Sequence, residues 1–131
     1  MYQYRLTHLT LSAVAAVLLL SSCDSTPPAA EVSFSKQIQP ILTQHCLKCH
    51  DEKGAGTVAS GLRLSGYEAL LQGTKFGQVI KPGDSLSSTL IILVEGRANP
   101  SINMPHGNQP PLSGEQIQTL RQWIDQGARN N

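Results

Sequence analysis

Cys46-Leu47-Lys48-Cys49-His50 is the stretch on which the rest of the chain turns. Two thiols three positions apart fall on one side of a single helical turn, and an imidazole follows the second thiol directly. Few chemistries use that order. A thioredoxin-like dithiol needs only the two cysteines, but it expects a βαβ context that this proline-punctuated sequence lacks. Zinc could draw on Cys46, Cys49, His50 and His106, yet the adjacent Cys49 and His50 are awkward as two corners of one tetrahedron. A disulfide between Cys46 and Cys49 would close too short a loop to stabilise much.

C-x-x-C-H is the attachment signature of c-type haem. The two thiols each add to one porphyrin vinyl group, and the imidazole of His50 then lies under the iron as the proximal ligand. The second axial position falls to Met104, 54 residues further on. Pro105 pushes Met104 out of the α region toward extended backbone, so its thioether projects from a loop. His106 is the rival, because residues i and i+2 of an extended segment point the same way, and an open iron is the third case. His/Met ligation raises the reduction potential relative to His/His. His45 reads as a surface or loop-packing residue. Arg97, Lys81 and Lys75 are candidate partners for haem propionates, with none preferred.

The third cysteine has a separate explanation. Arg5 precedes an apolar run from Leu11 to Leu20 broken only by Ser12, the shape of a secretory signal. As a helix that run is about half a bilayer core long, too short for a permanent span. It ends Leu20-Ser21-Ser22-Cys23, which resembles the bacterial lipobox, so residues 1–22 are expected to be a lipoprotein signal peptide and Cys23 the lipidated residue. Two acyl chains would hold the protein stably at a membrane. Asp24 resembles an inner-membrane retention signal, although that rule varies between bacterial groups. Residues 24–33, rich in Ser, Pro and Ala, complete a linker that runs from Cys23 to residue 33.

A 22-residue leader leaves 109 residues of the 131, enough for one domain over 34–131. Aromatic residues are 5% of the chain, and Phe34, Tyr67, Phe76 and Trp123 are the large rings after the leader, a thin core that a flat apolar ring would supplement. Without Arg5, nine basic residues balance nine acidic ones, so no polybasic nucleic-acid surface is implied.

Apolar spacing predicts an all-α class with about four helices and long loops. Phe34, Ile38, Ile41 and Leu42 mark a first helix that restarts or kinks at Pro40. Residues 51–64 read as loop. A short helix is expected over Tyr67–Leu71, closed by Gly73. Leu86, Leu90, Ile91, Leu93 and Val94 mark another, capped by Asp84 or Ser87 and stopped by Gly96. Prolines 105, 110 and 111 exclude regular structure over 97–112. Ser113-Gly114-Glu115-Gln116 is a capping box opening the last helix, with Ile117, Leu120, Trp123 and Ile124 on one face before Gly127.

In order, Phe34, Ile38-Gln39-Pro40-Ile41-Leu42, Cys46-x-x-Cys49-His50, Gly61-Leu62-Arg63-Leu64, Val79-Ile80-Lys81-Pro82-Gly83-Asp84, Ser88, Leu90, Met104-Pro105, Leu112-Ser113 and Trp123-Ile124-x-x-Gly127-Ala128 resemble the planctomycete-type domain of single-haem cytochrome c. The resemblance covers about 34–128. It implies a cytochrome c-like fold around one covalent haem c, with first and last helices crossed so that Phe34 or Ile38 meets Leu120 or Trp123, and Met104 as distal ligand. The expected function is electron transfer: an exported cytochrome, lipid-anchored in the bacterial cell envelope and periplasm-facing, passes single electrons between a redox donor and an acceptor. It would act as a carrier rather than an enzyme, as a monomer or as a subunit of a respiratory or dehydrogenase complex. The alternative is a haem sensor or small peroxidase-like enzyme with a displaceable sixth ligand.

Overall fold

The computed structural model describes residues 30–131. The expected signal peptide, Cys23, Asp24 and the expected linker up to residue 29 lie outside the described residues. Among the described residues there is no strand, only a β-bridge between Thr74 and Gly77. The helices are α1 (Gln39–His45), α2 (Leu47–His50), α3 (Ala55–Ser60), α4 (Tyr67–Gln72), α5 (Thr89–Val94) and α6 (Gly114–Asp125), preceded by a π-helical turn over Phe34–Ile38. The class is all-α as expected, with more and shorter helices than the four read from the sequence. No helix among the described residues is long and apolar enough to cross a membrane.

Pro40 shapes the entry to the domain. It has no N–H for Lys36, and its ring would clash with that carbonyl in a regular helix. The chain widens instead: Ile38 N–H reaches Ser33 O at 3.3 Å, and Gln39 N–H bonds to Phe34 O. α1 then starts with Pro40 in its first turn, the position a proline tolerates.

The turn places Phe34 inward. Its ring lies 5.2 Å from Tyr67, edge to face, and 5.5 Å from Trp123, so the expected meeting of Phe34 with the last helix is present. Tyr67 donates its hydroxyl proton to Ala128 O and Trp123 donates Nε1–H to Arg129 O, so both ring polar groups are paired. Asn131 joins the ends of the domain: its Oδ1 accepts from Phe34 N–H at 2.8 Å and its terminal carbonyl from Ser35 N–H at 3.0 Å. Ile38, Leu42, Leu64, Leu70, Ile91, Leu120 and Ile124 fill the surrounding core.

α6 carries the capping box in full: Ser113 Oγ accepts from Gln116 N–H, and Gln116 Oε1 accepts from Ser113 N–H. Three expectations need correction. Residues 51–64 are not all loop, because α3 forms there, entered from extended Gly54 and closed by Gly61 at φ 82°. Leu86 does not belong to α5 and is 66% exposed. Ser87 bonds back to the Asp84 carboxylate, a local turn that holds residues 84–87 out of the helix, and Ser88 takes the N-cap position. Phe76 adds nothing to the core at 82% exposure, with Lys75 Nζ 5.1 Å from its ring centroid. Residues 97–112 contain no helix or strand, as the prolines require.

Candidate functional site

The signature folds as a single turn. Cys46 takes the N-cap position of α2, and its carbonyl accepts from Cys49 N–H at 3.1 Å and His50 N–H at 3.0 Å. Both thiols are free, Cys49 exposed and Cys46 half-buried. Burial, with a smaller contribution from Cys49, pushes the Cys46 thiol up to about 11, so it is a neutral S–H over the physiological range.

His50 is buried, at 6% exposure. Its Nδ1 lies 3.1 Å from Leu62 O, a contact that requires a proton on Nδ1 because the carbonyl can only accept. That bond fixes the tautomer and leaves Nε2 as the lone-pair nitrogen. Leu64 N–H donates to His50 O at 2.8 Å, so the Leu62–Leu64 segment is laced to the histidine through side chain and backbone.

The chain between His50 and Leu62 wraps back over the signature at two glycines. A Cβ on Gly54 would lie 2.3 Å from Cys49 O. One on Gly56 would lie 2.6 Å from His50 Cε1 and 2.7 Å from Nε2. Only the missing side chains let α3 approach this closely, and the space opposite Nε2 is one that any other residue would fill. Thr57, next along α3, donates its hydroxyl within reach of two carbonyls, Asp51 O at 2.6 Å and Leu62 O at 2.7 Å. On the outer side, hydrogen bonds from Ser65 and then Arg63 hold the Glu52 carboxyl below the usual carboxylate range.

Met104 is half-buried and packs against the hydrophobic core, its N–H bonded to Leu93 O at 3.1 Å. His106 is exposed. His45 is half-buried: its Nε2 accepts from Gln116 Nε2 at 3.0 Å, tying α1 to the cap of α6, in line with a packing role. Arg97 is paired with Glu95 at 2.5 Å and donates to Leu86 O. No three His, Cys, Asp or Glu side chains gather into a metal-binding group among the described residues.

Sequence reasoning named Cys46, Cys49, His50 and Met104, quoted Leu62 within a family pattern without giving it a role, and passed over Gly54, Gly56 and Thr57. Leu62 acts through its backbone oxygen, which leaves no mark in the sequence. The glycines did leave one, two small residues spaced i and i+2 that begin four positions after His50.

Residues 46–108 match the family described as Planctomycete cytochrome C, a segment that contains Cys46, Cys49, His50, Met104 and His106. The chain is also similar to Hydrazine synthase subunit alpha of Kuenenia stuttgartiensis, 26% identical over 124 aligned residues. That alignment takes in 75% of this chain and spans 15% of the length of that relative. No solved structure matches. The family match implies haem c for this segment, and the residues present fit such a group. His50 has its Nδ1 occupied and its Nε2 available, both thiols are free, and Gly56 leaves the space beside Nε2 that a Cβ would take.

Proposed function

We propose that this chain is a lipid-anchored, single-haem cytochrome of the bacterial envelope that carries one electron at a time between redox partners. The observation that carries the reading is the bond from His50 Nδ1 to Leu62 O, which orients the imidazole and leaves Nε2 free to serve as an iron ligand. A buried histidine held only for packing has no need of glycines at Gly54 and Gly56 clearing its approach.

Bound here, haem c would supply a one-electron iron couple. Cys46 and Cys49 would hold it covalently, and His50 would be the proximal ligand. Met104 is the favoured distal ligand, because its thioether side chain packs on the core while His106 is exposed. With His50 and Met104 both as ligands the iron would offer no substrate site, which is the basis for reading a carrier rather than an enzyme. Cytochrome c-like folding around the group belongs to the same reading, supported by the packing of Phe34 on Trp123 and of Met104 on the core. The similarity to one subunit of a synthase favours a protein that serves within or beside a larger redox assembly. Lipid on Cys23 would keep the domain at the membrane, periplasm-facing, through the linker that follows.

The test is the absorption spectrum, oxidised and reduced, of the full chain exported in a host with cytochrome c maturation machinery. A c-type reduced spectrum with a far-red sulfur-to-iron band in the oxidised protein is expected. Covalent haem without that band, with carbon monoxide binding to the reduced protein, would replace the carrier by a sensor or peroxidase-like reading. A colourless protein would overturn the haem reading.

A further inference from the structure

The carbonyl of Leu62 serves two donors. His50 Nδ1 is 3.1 Å away, at the long end for an N–H···O bond, while Thr57 Oγ1 is 2.7 Å away, the usual length for O–H···O. Leu62 is fixed from its other side too, since its N–H donates to Ser60 Oγ at 3.1 Å and Ser60 Oγ donates to Gly56 O at 2.7 Å. The carbonyl therefore has little freedom to turn toward the imidazole. Chains of hydrogen bonds strengthen each other because each group gives and receives, but two donors on one oxygen draw on the same electron density and weaken each other. The Thr57 hydroxyl has one proton and two acceptors, Asp51 O and Leu62 O, so its share on Leu62 is set by this local geometry.

We propose that Thr57 is a positioning residue: by competing for Leu62 O it limits the hydrogen bond from His50 Nδ1, keeps the imidazole less basic at Nε2, and holds the reduction potential of the iron it ligates higher than it would otherwise be. The inference rests on the haem reading above. A stronger Nδ1–H···O bond gives the ring more imidazolate character, which favours the ferric state and lowers the potential. Thr57 thus acts on the iron through two atoms of other residues, without touching it.

The experiment compares Thr57→Val and Thr57→Ser in the haem-loaded full chain, measuring the midpoint potential and the proton chemical shift of His50 Nδ1–H in the reduced protein. Thr57→Val keeps the side-chain shape and removes the donor. The oxidised-to-reduced ratio at fixed ambient potential is expected to rise about threefold, a fall of about 28 mV at about 59 mV per tenfold for one electron. The Nδ1 proton should move downfield. Thr57→Ser retains the hydroxyl and should stay with the parent on both readings. Thr57→Ala removes the same donor and takes the place of the valine variant if that one does not load haem. A residue that only supported α3 would lower the melting temperature and leave potential and proton shift where they were, and that result overturns the proposal. So does a rise in potential, which would mean that Thr57 supports the Leu62 carbonyl instead of competing for it. A parent chain without covalent haem would fail at the earlier reading, a different result from unchanged potentials in coloured protein.

Discussion

Gly56→Ala adds one methyl group at the tightest side-chain approach to His50. The new Cβ would sit 2.6 Å from Cε1 and 2.7 Å from Nε2 of His50, and 2.9 Å from Cys49 O. Carbon atoms in contact prefer about 3.5–4.0 Å, so the ring or α3 must move by about 1 Å. The ring is held by Leu62 O and α3 by Thr57 on Asp51 O, so neither moves alone. Overpacking of this kind costs about 1–3 kcal/mol, and the usual gain from glycine to alanine in a helix offsets about 0.5–1 kcal/mol of it. A net loss of about 1–2 kcal/mol corresponds to a melting temperature lower by roughly 5–15 °C for a domain of this size. Thermal unfolding followed by far-ultraviolet circular dichroism reads that loss, and haem content per chain, from absorbance, reads the site. Gly114→Ala is the control, because a Cβ there meets nothing within 4 Å, and it should leave both readings near the parent. If Gly56→Ala melts at or above the parent temperature with full haem content, the close approach of α3 to His50 does not exist in solution.

Met104→Ala should leave haem attached, lower the midpoint potential and let carbon monoxide bind the reduced protein, while His106→Ala changes none of these; carbon monoxide titration followed by absorbance checks both. In the haem-free chain Cys46 titrates at about 11 because the fold buries it, against 9.0 for the ordinary thiol. A raised pKa favours the folded state fully below about pH 9 and loses that contribution as pH climbs through about 11, so urea midpoints of the haem-free chain should fall across that window more steeply than those of Cys46→Ser. Cys23→Ser should release the protein from membranes into the soluble periplasmic fraction, read by fractionation; retention at the membrane would refute the lipobox reading.

The elements that sequence spacing located are those whose information is local. Ser113 and Gln116 cap each other across three residues, and Gly73 and Gly96 end their helices at φ 74° and 69°, so these boundaries needed no tertiary contact. α3 was missed because two of its neighbours in sequence, Gly54 and Gly61, together with Gly56 inside it, give the composition of a loop. Its helix is stabilised by what it leans on. Thr57 and Ser60 spend their hydroxyls on carbonyls at 2.6–2.7 Å, and the glycines admit the backbone of Cys49. Leu86 was misplaced for the converse reason. Its spacing suits the face of α5, but the Asp84–Ser87 contacts and the bond from Ser85 N–H to Asp125 at 2.8 Å fix the chain in a turn first.

The site divides along the same line. Cys46, Cys49 and His50 are adjacent on one turn, so their spacing in sequence is already their geometry. The direction of His50 is not local: it depends on a carbonyl twelve residues away, delivered by a segment that α3 must fold to position. Half of the site's chemistry is therefore in the signature and half in the wrap that follows it. The wrap decides which nitrogen carries the proton, how strongly that proton is held and how much room lies beside the other nitrogen. On the haem reading proposed above, a chain with the same five residues and a different wrap would hold the group at a different potential.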